Sequence, residues 1–413
     1  MVGGGMTAGT AAATARADGY AGALTLISDE SGLPFGRPPL SKEYLRGEGD
    51  LSDWLVKPGD WYQANRVELL RDSVARVDSS ARRVHLAGGD SVGYDRLLIA
   101  TGGRNRRLAV EGADLPGVFQ LRTVESCDRI RESAQPGARA VVIGMGFIGS
   151  EVSASLRQMG VRVTAVLDGR FPLRTVLGDE VGEVMAAVHR DHGVELVEND
   201  KVVALEGDQR VRRVSTRSGR RIECDLVIAA VGIEPNIELL AGSGIEVDNG
   251  VLVDGRCESS VPGIFAAGDV ANQLHPLFGR VRVEHYNNAE KQGAAVARAM
   301  IAPGPPYDYL HSFWSDQYDD KLEYIGHATR WDSVAIRGSL SGRSFLAFYL
   351  QEGRLKAALG MNRGGDPEQD PECDLAKAGR LISRRRKVAV KDLADEEVDL
   401  ESIGARTDRR RRP

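Results

Sequence analysis

Two stretches of this chain carry glycines at a spacing that few tasks require. Gly144-x-Gly146-x-x-Gly149 lies between an apolar run at residues 140–143 and a helical pattern through Val152, Leu156 and Met159. A second apolar run, residues 161–167, ends in Asp168. Strand, glycine turn, helix, strand and acid is the order that a dinucleotide needs. The first glycine allows a tight turn, the second lets backbone N–H groups approach a pyrophosphate, and the third lets helix and strand pack closely. The start of the helix adds partial positive charge and free donors for phosphate. An acid about 20 residues past the last glycine is placed to accept from a ribose hydroxyl. Gly144, Gly146, Gly149 and Asp168 are therefore candidate nucleotide ligands. Gly3-x-Gly5-x-x-Ala8 repeats the turn at the start of the chain. A helix at 11–17, a strand at 23–27 and the acids Asp29 and Glu30 follow it. Only Met1 and Val2 precede Gly3, too few for the central strand of a doubly wound sheet. The sequence thus predicts that the natural start lies upstream.

The elements around these turns are duplicated too. Residues 94–103 read as a buried strand running into the small-residue turn Thr101-Gly102-Gly103, and residues 224–232 repeat that pattern as far as Gly232. Duplication of whole domains is a stronger signal than either turn alone. The stretch VPGIFAAGDVA brings small residues and Gly268-Asp269 to a strand end, where a large ligand can come close and Asp269 can accept from hydroxyls; a helical stretch is predicted after it. Prolines at 34, 38 and 39 predict an extended loop and a helix start near Ser41. Residues 84–87 and 91–94 read as a hairpin, and about 287–301 as a helix. After the break at 303–306, alternation at 334–339, 344–350 and 355–361 predicts antiparallel strands, with a helix over 371–386. The fold class is α/β: two Rossmann-like dinucleotide-binding domains and a C-terminal α+β domain. The predicted boundaries are 1–110 with 240–305, 111–239, and 306–405, followed by a disordered basic tail at 406–413. Two dinucleotide units imply two dinucleotides, a resident flavin and a visiting nicotinamide, and hydride transfer between them.

Bulk properties narrow the class. The 413 residues carry a net charge of −5, which marks no general nucleic-acid binder. No apolar run reaches the length of a membrane span, and the N-terminus lacks the order of a signal peptide, so the expectation is a cytoplasmic protein without nucleic-acid or membrane partners. Cys127, Cys224, Cys257 and Cys373 form no CxxC pair, which argues against structural zinc, a cluster bound by this chain, or a dithiol redox pair. No metal site is expected.

The motifs RPPLSKEYL, LLIATGGRNRRL, VVIGMGFIGSEV, VGIEPN, GIFAAGDVA, EHYNNAEKQG and FWSDQYD span essentially the whole chain. On them, the chain resembles FAD-dependent ferredoxin reductases of cytochrome P450 and Rieske oxygenase systems. It is also similar to apoptosis-inducing factor and the wider pyridine nucleotide–disulfide oxidoreductase class. The resemblance implies that Gly3, Gly5, Thr7, Asp29, Glu30, Lys42, Val74, Thr101, Gly102, Arg122, Gly268, Asp269 and Tyr286 contact FAD, with Arg37 and Arg106 near its phosphates. It implies that Gly144, Gly146, Ile148, Gly149, Asp168 and Gly232 hold NADH or NADPH. It also implies that Trp314 stacks near the flavin and that Lys42 and Glu151 pair beside its N5 as the catalytic residues. Leu167 stands where NADH-preferring relatives often carry glutamate, and Arg170 and Arg174 are near enough for a 2′-phosphate, so NADH leads only narrowly. Asn105 replaces a usual proline.

The implied activity is hydride uptake from NAD(P)H and electron delivery to a ferredoxin or Rieske-type iron–sulfur protein, by a monomer or homodimer. Arg104, Arg106 and Arg107, or residues 384–387, are candidate basic docking patches. Two alternatives stay open: a flavin-bearing interaction protein like apoptosis-inducing factor, and an NADH oxidase or disulfide reductase. The second is disfavoured because Lys42 stands where those relatives carry a reactive cysteine.

Overall fold

The structure is a computed structural model that describes residues 1–403; the predicted tail at 406–413 lies outside the described residues. The chain divides into two compact units. The first comprises Met1–Pro38, Asp50–Arg104 and Ile233–Tyr309, and the second Pro39–Gly49, Asn105–Gly232 and Leu310–Pro413.

In the first unit, the parallel strands Val67–Arg71 and Leu24–Ser28 lie on one side of Val2, and Leu97–Ile99 and Ile264–Ala266 lie on the other. Met1 and Val2 do the work of the central strand. Val2 N donates to Leu98 O (2.8 Å) and Val2 O accepts from Ala100 N (2.8 Å), while Met1 O accepts from Ile27 N (2.9 Å). The helix Met6–Ala17 buries Ala8, Ala11, Ala12 and Ala15 against this sheet. It packs so closely on the helix Tyr286–Ile301 that a Cβ at Gly293 would lie 2.7 Å from Thr7 O. A three-stranded antiparallel sheet, Val74–Asp78, Arg83–Leu86 and Ser91–Gly93, completes the duplicated pattern. The predicted helix after Gly268-Asp269 is absent. A single 3-10 turn, Gly268–Val270, leads directly into the strand Ala271–His275. Ala271 and Leu274 among the polar Asn272, Gln273 and His275 mark neither period, and the pairing of Ala271–Gln273 with Val251–Val253 decides for strand.

The second unit repeats the arrangement. Its parallel sheet runs in the order Glu195–Val197, Arg162–Val166, Arg139–Ile143, Leu226–Ala229, Val118–Phe119. The central strand is buried from Ala140 to Ile143 and feeds the turn at Gly144. Val202–Glu206, Arg213–Thr216 and Arg221–Glu223 form the matching antiparallel sheet. Beyond it, five antiparallel strands stand in the order Ser312–Gln317, Asp320–Gly326, Arg354–Met361, Ser344–Gln351, Ser333–Ser339. The first two were not legible in the sequence: buried Ser312, Ser315 and Gln317 break the apolar alternation of the one, and the other is buried on both faces from Leu322 to Gly326, so it does not alternate either. The helix Asp374–Arg384 is shorter than residues 371–386. A helix that sequence reading missed, Arg174–Asp191, is interrupted at Gly178 (φ 82°) and packs Leu177, Val181, Met185 and Val188 against Phe345, Tyr349 and Leu359 of the five-stranded sheet.

Candidate functional site

The first unit gathers one set of predicted ligands around its glycine turn. Gly3 has φ 128°, and a Cβ there would sit 2.2 Å from Ala100 O, so the turn needs glycine. A Cβ at Gly5 would meet nothing within 4 Å, which leaves an open face at the start of the helix Met6–Ala17. That helix has no side-chain cap. By contrast, Thr123 and Ser126 form a full capping box on the helix Val124–Ser133. The first-turn N–H groups of Met6–Ala17 thus suit an anion. Gly268 lies against Thr7, and its N–H donates to the buried Gln292 Oε1 at 2.8 Å, which fixes the turn that carries Asp269. Tyr286 begins the helix that meets Thr7 and packs edge-on against Trp54 at 5.7 Å; burial pushes its phenol up to about 12. Ser73 donates to Asp29 at 3.2 Å, which ties the residue before Val74 to the end of Leu24–Ser28. Glu30 pairs with Arg37, so the guanidinium expected at a phosphate is held by a neighbouring carboxylate. Asn236 exchanges hydrogen bonds with Thr101 (2.8 and 3.0 Å), and its N–H donates to Gly102 O. Gln292 and Asn236 gave no individual signal in the sequence.

The second unit carries the other turn. A Cβ at Gly149 would lie 1.9 Å from Gly144 O, and one at Gly144 (φ 91°) 2.5 Å from Ala230 O. A Cβ at Gly146 would meet nothing within 4 Å. The helix Phe147–Gln158 starts there without a side-chain cap, and Ile148 in its first turn is 46% exposed, an apolar surface beside open donors. Gly232 O accepts from Arg106 N at 2.9 Å. Asp168 is exposed at the strand end but pairs with Lys201 at 2.6 Å. Asn199 N to Gly169 O and Asp200 N to Leu167 O hold the loop carrying Lys201 in place. Lys201 had not been singled out. Arg170 lies over the Phe171 ring, and Arg174 pairs with Asp179.

The chemistry-bearing cluster lies wholly in the second unit. Lys42 and Glu151 are 8% and 5% exposed, and Lys42 Nζ donates to Glu151 Oε2 at 2.7 Å. Ser41 Oγ donates to the same oxygen at 2.5 Å, and Ser315 Oγ donates to Oε1 at 2.7 Å. Gln317 Nε2 in turn donates to Ser315 Oγ at 3.1 Å. The register explains the meeting. Phe147 and Glu151 are one helical turn apart, and Phe313, Ser315 and Gln317 share one strand face. Phe147 packs edge-on against Phe313 at 4.9 Å while Ser315 reaches Glu151. Trp314 and Asp316 belong to the opposite face and are half-buried. Burial raises the Asp316 carboxyl above its usual range, with Lys42 and Lys321 pulling it back. Ser41, Ser315, Asp316 and Gln317 were missed as site residues; the buried polar alternation of FWSDQ was the available signal.

The family profile of pyridine nucleotide-disulphide oxidoreductases matches residues 1–293, and the reductase C-terminal profile matches 312–404. The chain belongs to the pyridine nucleotide-disulphide oxidoreductase family. Rhodocoxin reductase of Rhodococcus erythropolis is 34% identical over 98% of this chain and 94% of that protein. A putidaredoxin reductase of Pseudomonas putida is 33% identical over 98% and 96%. Among solved structures, a ferredoxin reductase from Rhodopseudomonas palustris superimposes with TM-score 0.91 at 34% identity, covering 97% of this chain and 98% of that one. The reductase chain of a covalent putidaredoxin reductase–putidaredoxin complex gives TM-score 0.91 at 33% identity, covering 98% of each. In this member of the family, all four cysteines are free and buried, and burial pushes Cys127, Cys224 and Cys257 up to about 12, which suppresses the thiolate that disulfide chemistry needs. No helix among the described residues is long and apolar enough to cross a membrane, and no cluster there could hold a metal. Three of the candidate docking arginines are ion-paired: Arg104 with Glu234 and Glu238, Arg107 with Asp114, and Arg384 with Glu401.

Proposed function

We infer that this chain is a flavoprotein reductase that takes reducing equivalents from NAD(P)H and passes them to a ferredoxin-like iron–sulfur protein. Bound FAD would supply the chemistry that links a two-electron hydride donor to a one-electron acceptor. The observation that carries the reading is the buried Lys42–Glu151 pair at the start of the second glycine-turn helix, in a chain that matches ferredoxin reductases over 98% of its length. In the first unit, the open face at Gly5, the uncapped helix start, Asp29 and Asp269 fit the pyrophosphate and hydroxyls of FAD. In the second, Gly146, Ile148 and Asp168 fit NAD(P)H. Glu151, with its lone pairs committed to three donors, keeps one fixed orientation from which to seat the nicotinamide. Lys42 supplies a fixed positive charge in surroundings that exclude water, where charge acts strongly. The chain works in the cytoplasm.

The test is purification with bound flavin, anaerobic reduction by NADH and by NADPH, and a screen of ferredoxins as acceptors. The expected result is a yellow protein bleached by reduced nicotinamide, whose reoxidation a cognate ferredoxin accelerates. Protein that stays colourless after incubation with FAD, or reoxidation that no iron–sulfur protein accelerates, would overturn it.

A further inference from the structure

We propose that Ser315 is a positioning residue for the reduction step, acting through Glu151 and held in direction by Gln317. The proposal rests on the reading of Glu151 as the carboxylate that seats the nicotinamide. Glu151 Oε2 is shared by Lys42 and Ser41, both from the segment before the helix Glu43–Arg46, whereas Oε1 takes its hydrogen bond from Ser315. A carboxylate held at one oxygen can swing about that contact; held at both, it cannot. Ser315 is 0% exposed, so its hydroxyl serves Glu151 without competition from bulk solvent. A hydroxyl has one hydrogen to give. Gln317, 1% exposed, donates to the Ser315 oxygen at 3.1 Å, which leaves the serine hydrogen to point at Glu151. The two residues lie on one face of the strand Ser312–Gln317, so the five-stranded sheet sets the orientation of a group on the dinucleotide-binding helix.

The experiment uses the FAD-loaded protein with Ser315→Ala, Ser315→Cys, Ser315→Thr, Glu151→Gln and the Ser315→Ala/Glu151→Gln double variant. It reads the rate of anaerobic flavin bleaching by NADH, the Kd for NAD+ from perturbation of the flavin absorption spectrum, flavin content and melting temperature. Alanine removes volume and cysteine adds it, yet both lose the strong donor, so both should slow bleaching by roughly 10-fold or more, the scale of one hydrogen bond to a charged group. Both should also weaken NAD+ binding, while threonine keeps both properties near wild type. In the Glu151→Gln background, Ser315→Ala should add little, because the oxygen it orients is no longer charged. If Ser315→Ala slows bleaching by the same factor in both backgrounds, or if cysteine behaves as threonine does, the proposal is overturned and Ser315 only fills space. If Glu151→Gln itself changes neither bleaching nor NAD+ binding, the reading of Glu151 fails instead.

Discussion

Replacing Lys42 by methionine keeps most of the apolar stem and deletes the ammonium. The side chains of Lys42 and Glu151 are 10% and 5% exposed, and they lie 2.7 Å apart. Removing one member of a buried pair costs about 3–5 kcal/mol, because the other charge stays buried without its counter-ion. Ser41 and Ser315 still donate to Glu151, which places the cost near the low end, about 3 kcal/mol. For a 413-residue chain, whose unfolding entropy makes each kcal/mol worth about 1–2 °C, Lys42→Met should melt ~3–6 °C below wild type. Adding Glu151→Gln removes the stranded charge, so the double variant should regain most of that loss. Thermal melts of the flavin-loaded proteins, followed by circular dichroism, decide the matter. If the single and double variants melt together, or if Lys42→Met melts with wild type, the ion pair is not the buried, mutually dependent unit described here.

Two further outcomes follow from the same geometry. Gly149→Ala places a methyl 1.9 Å from Gly144 O, so it should abolish bleaching by NADH while flavin content stays near wild type; a variant that binds NAD+ normally would count against the assignment of this turn to the nicotinamide nucleotide. His189 is fully buried, with Nδ1 3.2 Å from Tyr318 Oη, and burial pushes it down to about 4 from its ordinary value near 6.5. Its neutral form belongs to the folded state, so the unfolded chain takes up the proton first. Stability is full above about pH 6.5, falls as pH drops toward 4 by about 3 kcal/mol, and levels off below. His189→Asn should therefore show a shallower fall in melting temperature between pH 7 and 4.5 than wild type, and parallel curves would refute the assignment.

Much of the fold was written locally. A glycine turn is a statement about a few consecutive residues. Gly149 must lack a side chain because Gly144 O of the same motif occupies that space, Gly144 must take φ 91° to make the turn, and the adjacent runs that make strand and helix stand beside them. The whole unit could therefore be read at both copies, and the alternation at 344–350 and 355–361 located the C-terminal sheet, whose strands run Ser344–Gln351 and Arg354–Met361. Where a residue's conformation is decided by a distant partner, the reading failed. Residues 271–275 became a strand because Val251–Val253 lies alongside, and Ser312–Gln317, an edge strand with buried polar residues, was fixed by its pairing with Asp320–Gly326.

From residue order alone came two dinucleotide turns, their acids and the family resemblance. That resemblance also gave the pairing of Lys42 with Glu151, but not the other two donors. Ser41 and Ser315 lie 110 and 164 positions from Glu151, and hydrogen bonds form by distance in space rather than along the chain. Likewise the acidic partners of Arg104 and Arg107, among them Glu234 and Glu238 far along the chain, appear only once the chain is folded. Sequence encodes which backbone shapes are sterically permitted residue by residue; only the packed chain determines which charges meet and which polar groups leave water together.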